Sequence, residues 1–151
     1  MLAYVGLLSL AALAIGAAVA GTQTLPNMWA VVGLAAMAVA AERGSVRLSN
    51  TTESSIALLP TLLAAVLFGP LAAMIVAASS QLGDLRPPYL KWPTYTAIRA
   101  ITGAGTGLAA LATASAVHGV SGIVLATVVG AAVAEMLDVA FTALTHRVRR
   151  N

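Results

Sequence analysis

Cysteine is missing altogether from this 151-residue chain, which excludes disulfides, thiolate zinc sites and cysteine nucleophiles. Charge is almost as scarce: charged residues make up 9% of the sequence, where an average soluble domain has about one-quarter. A water-soluble fold of this size would have almost nothing polar to cover its surface. Aromatic residues are 5%, few for a pocket built from several such side chains around convergent polar groups. Catalytic signatures are missing too. There is no Gly-rich phosphate loop with its Lys, no His-Glu-x-x-His, no Gly-x-Ser-x-Gly and no histidine beside a plausible nucleophile. Gly103-Ala104-Gly105-Thr106-Gly107 sits inside an apolar run with no strand before it, so it is not read as a nucleotide loop. His118 and His146 fall at the ends of apolar runs, and neither has a second ligand at metal-binding spacing. The chain by itself is expected to be no enzyme and to carry no cofactor or metal.

Apolar residues, by contrast, are 60% of the chain, and the mean hydropathy is +0.93. They are spread along the whole length, which predicts one domain, residues 1–151, with lipid as its solvent. The formal charge of +3 and pI near 10.0 would suggest nucleic acid in a soluble protein. Here the basic residues lie between apolar runs, so membrane orientation explains them and nucleic acid is not an expected partner.

The runs extend over about Leu2–Ala20, Pro26–Ala41, Ile56–Phe68, Pro70–Leu82, Thr94–Val117 and Val120–Leu144. A span needs roughly 20 apolar residues, with about 17 to 25 in practice. The first, fifth and sixth qualify, the second is slightly short, and the third and fourth are shorter still. These last two are joined only by Phe68-Gly69-Pro70. They can be two tilted spans meeting in a tight turn, or a re-entrant hairpin shielded by other helices; the length window favours spans. The expected fold is therefore all-α, a polytopic membrane bundle of about six transmembrane helices.

Lys and Arg follow the even-numbered runs, at Arg43 and Arg47, at Arg86 and Lys91, and at Arg147, Arg149 and Arg150. The opposite connections carry none. The positive-inside rule then places both termini in the cytoplasm. Ala18-Val19-Ala20 before Gly21 resembles a signal-peptide cleavage site, but no basic residue precedes this run and it is long for such a segment. Retention of the first helix is the preferred reading.

Ionisable groups at membrane depth are expensive and usually face the bundle interior or a hydrated cavity. Three qualify: Arg99 in the fifth run, and Glu135 with Asp138 three residues apart in the sixth. Helix rise places Asp138 about 13 Å and Glu135 about 18 Å in from Arg147, and Arg99 about 9 Å beyond Pro93. An Arg99–Asp138 pair holding two helices together is the preferred reading, and a proton, cation or ligand site containing Glu135 is the alternative. Ala12, Gly16 and Ala20 repeat every four residues in the first run, and Gly103 and Gly107 punctuate the fifth; such spacing predicts close helix packing, within the chain or in a homo-oligomer. Tyr89 and Trp92 beside Arg86 and Lys91 read as anchors at the lipid headgroups.

An acidic residue, Glu42, closes the second run. After it come Arg47-Leu48-Ser49, then Leu67-Phe68-Gly69-Pro70-Leu71-Ala72-Ala73, then Gln81-Leu82-Gly83-Asp84 and a basic, proline-containing loop. This order resembles the multi-helix membrane sensor regions N-terminal to bacterial signalling proteins with HD-GYP or GGDEF output domains. It is also similar to the substrate-binding S-components of energy-coupling-factor transporters. The first resemblance implies a bacterial cytoplasmic-membrane sensory module with a cytoplasmic output domain or partner. The second implies capture of a small molecule beside a membrane partner subunit. A small channel or proton-coupled carrier using Glu135 is the third expectation.

Overall fold

The computed structural model describes residues 2–25, 27–43, 57–83 and 91–150. Among them are six α-helices, one 3-10 turn and no strand: α1 Leu2–Ala20, α2 Met28–Arg43, α3 Leu58–Phe68, α4 Pro70–Ser79 followed by the turn Ser80–Gly83, α5 Lys91–Ala116 and α6 Val120–Arg150. Two of them, α1 over Ala3–Ala20 and α6 over Val120–Val148, are long and apolar enough to cross a membrane. Helix α5 has the length, but its glycines, threonines and Arg99 dilute its apolar character.

Helix boundaries follow local chemistry. The side chain of Asn27 accepts from Ala30 N at 3.3 Å and so caps α2. Proline at the first position of α4 loses no bond there, since that N–H would be unpaired anyway. Between α3 and α4 stands Gly69 with φ +84°, a conformation that penalises any side chain. Helix α6 runs six residues past the expected end at Leu144, to Arg150.

Helix α5 lies at the centre, packed against α1, α3, α4 and α6, while α2 covers α3, α4 and the 3-10 turn. The helices alternate in direction. Tyr4 Oη and Thr145 Oγ1 are 3.2 Å apart at one end, and Trp92 Nε1 donates to Gln81 O at 3.0 Å near the same end. At the other, Gln23 of the α1–α2 connection lies against Gly69. The core is built largely from small residues: Ala38, Ala64, Ala72, Ala73, Val76 and Ala126 are fully buried. Large apolar side chains such as Leu13, Trp29, Leu59, Val128 and Met136 point outward.

The α3–α4 pair is short. Its 11 and 10 residues give about 16 and 15 Å at 1.5 Å per residue. A Cβ at Gly107 would collide with Pro70, which fixes the turn at the level of Gly107. From there α5 continues nine residues to Ala116, about 14 Å further. The far ends of α5 and α6 thus project beyond the α3–α4 turn, with Leu111, Val120, Ile123 and Val124 exposed.

Candidate functional site

The sequence-predicted cluster lies on the seam between α5 and α6. Arg99 Nη1 and Asp138 Oδ1 are 3.8 Å apart, with the side chains 25% and 50% exposed. This is a long, partly open pair between neighbouring helices. Glu135, expected at the bundle interior, instead lies exposed on the outer face of α6, beside the exposed Met136. The three-residue step from Asp138 turns it away from Arg99 by enough to leave the seam. Two residues the sequence reading passed over continue the polar face of α5: Thr102 and Thr106, buried one and two turns beyond Arg99. Thr106 Oγ1 donates to Thr102 O at 2.8 Å, and Thr102 Oγ1 has no partner among the described residues. Their spacing of three and seven from Arg99 was the available signal.

The packing candidates divide. Ala12 is buried against Leu8, Ala97, Ile98 and Ala100. A Cβ at Gly16 would sit 3.0 Å from Met74 Cε, whereas Ala20 is exposed. Gly103 faces the backbone of Ala73 and Gly107 that of Pro70, so both serve contact within the chain. Of the anchor candidates, Arg86 and Tyr89 lie outside the described residues, as does the side chain of Lys91. Trp92 is half-buried and tied to Gln81, joining the 3-10 turn to the start of α5.

A second place was not anticipated. A cleft of about 300 Å³ opens between the α3–α4 turn and α5, lined by Gln23, Thr24, the 65–69 segment and Ala110, Leu111 and Ala114. The projecting part of α5 forms its wall and the Gly69 turn its floor. It lies toward the end of the bundle away from the Tyr4–Thr145 contact. None of its lining residues is charged. Neither Arg99, Glu135 nor Asp138 borders it. Among the described residues there is no group of three His, Cys, Asp or Glu side chains placed to hold a metal. No protein-family model, curated protein or solved structure matches the chain.

Proposed function

We propose that this chain is a multi-pass module of the bacterial cytoplasmic membrane, with the Arg43, Trp92 and Arg147 end facing the cytoplasm, that senses a small ligand or a membrane state and relays it to a cytoplasmic output domain or partner. The observation that carries this reading is the continuity of α6. Its 31 residues span about 46 Å, against a hydrocarbon core of about 30 Å. One rigid element therefore borders the cleft-side half of the bundle, packs along α5 and leaves at the basic end. A shift of α5 against α6 at one end is carried to the other without a hinge. Sensing then amounts to a bias between two packings of these helices. The α3–α4 pair, at half the core thickness, acts in this reading as a re-entrant hairpin rather than two spans.

The test uses the whole chain in lipid nanodiscs, with spin labels on Ala40→Cys and Ala143→Cys, both exposed toward the basic end. Filling the cleft with Ala114→Trp stands in for an occupant. The expected result is a change of about 2 Å in the label distance, the scale of switching helix shifts. An unchanged distance would make the bundle a static scaffold.

The cleft, lying toward the end away from the basic one, also favours a second reading as a substrate-capturing subunit similar to transporter S-components. That reading requires an ATP-driven membrane partner. Accumulation of a cleft-binding compound inside cells, dependent on that partner, would separate the two.

A further inference from the structure

The cleft floor holds backbone groups that the helices themselves leave unsatisfied. Gly69 N donates to Ala65 O at 3.2 Å. The next donor in helical register is Pro70, which has none, so Val66 O loses its partner. Leu67 and Phe68 lose theirs because the chain leaves helical geometry at Gly69, with φ +84° and ψ −174°. Across the turn, and outside the cleft lining, the N–H groups of Leu71 and Ala72 open α4 with no preceding turn to receive them. Over this break lies Gln23, whose Oε1 comes 2.8 Å from where a Gly69 Cβ would stand. Its carboxamide makes no hydrogen bond among the described residues.

In a membrane, interrupted backbone at depth is tolerated only where protein buries it or where it lines water. Here a cavity of about 300 Å³ adjoins it, room for on the order of ten waters at about 30 Å³ each. Ala65, Phe68, Ala110 and Leu111 supply apolar walls. No charged side chain stands in the lining, so an ionic occupant would gain no counter-charge there. We infer that this cleft is a hydrated binding site, reached from the side opposite the basic loops, for a compact uncharged molecule with hydrogen-bonding groups on one face and an apolar surface on the other. Its polar face would engage Gln23 and the carbonyls at the α3–α4 break. The inference rests on the membrane reading above but not on signalling.

The absence of native cysteine permits a direct test. Single variants Ala114→Cys, in the cleft wall, and Val128→Cys, on the outer apolar face, are placed in the whole chain in nanodiscs and reacted with N-ethylmaleimide. Only a hydrated thiol ionises and reacts readily, so Ala114→Cys is expected to react about tenfold faster than Val128→Cys. Glycerol, 1,2-propanediol and nicotinamide serve as uncharged probes, with acetate and methylammonium as charged ones. At least one uncharged probe is expected to slow Ala114→Cys labelling about threefold, the effect of a probe at twice its Kd, while the charged probes leave it unchanged. Equal rates at the two positions would overturn the site as dry. Protection by the charged probes, or by none of the uncharged ones, would overturn the ligand class. Neither readout depends on movement at the basic end, so a failed site and a failed sensor are told apart by the label-distance measurement.

Discussion

Helix α5 meets α4 through backbone and meets α6 through side chains. Against α4, Gly103 and Gly107 let Ala73 and Pro70 approach so closely that a methyl group has no place to go. Against α6, Gly105 and Gly130 face the flexible or small ends of Leu137 and Thr106, and the Arg99–Asp138 ion pair on the seam is 3.8 Å long. Where lipid is the solvent, burying apolar surface contributes little to helix association, and close van der Waals packing contributes most. The α4 seam is therefore the fixed part of the molecule. In the sensing role proposed above, the α6 seam, with its polar face of Arg99, Thr102 and Thr106, is the one that would adopt a second arrangement.

The sharpest way to break this contrast is Gly107→Leu. The new side chain would have to displace Pro70 and with it the Gly69 turn. Loss of about 3 kcal/mol is expected, at the upper end of overpacking effects, read from reversible unfolding of the detergent-solubilised protein. A cost under about 1 kcal/mol, the usual size for a substitution away from tight contacts, would mean that the two seams do not differ as described. A smaller effect is expected at the looser seam. Asp138→Asn removes the charge opposite Arg99 while keeping the shape, and interhelical polar contacts in membranes average about 0.6 kcal/mol with a maximum near 1.7. A loss of about 1 kcal/mol in the same assay fits a long pair that is half open. A loss matching that of Gly107→Leu would make Arg99–Asp138 the central tie of the bundle instead.

Much of the fold is legible in the residues, because apolar run length and punctuation dictate helices almost one by one. The limits of α1 and the Phe68-Gly69-Pro70 break coincide with what the sequence implies, and the pairing of Arg99 with Asp138 follows from counting depth along two helices. Helix α2 starts later than its apolar run, since Asn27 caps it, and α6 continues through residues that look like a loop when judged on hydropathy alone. The cleft was not legible. Gln23, Phe68 and Ala110 are bland in isolation and become a site only when the α3–α4 turn stops short of the end of α5. The partners of Gly103 and Gly107 were equally hidden, because in an alanine-rich chain many small-residue spacings look alike. The facing of Glu135 fails for a different reason: a shared helix face is a broad arc, and a step of three residues is enough to carry one carboxylate out of a seam that holds the other.

Glu135 gives the finest test of the comparison. Its side chain is exposed on α6 among Met136 and Val139, which are 72% and 68% exposed, and it has no ion-pair partner among the described residues. If it contributes nothing to either seam, Glu135→Gln keeps its shape, removes its charge and leaves stability within about 0.5 kcal/mol, as for surface positions free of contacts. Asp138→Asn, one turn away on the same helix, should be clearly worse in the same unfolding measurement. The ordering matters more than either value, since both variants remove one carboxylate charge and differ only in whether that charge faces Arg99. If Glu135→Gln proves the more damaging of the two, its carboxylate is held in the purified protein by a group beyond the described residues, on this chain or on a second copy of it.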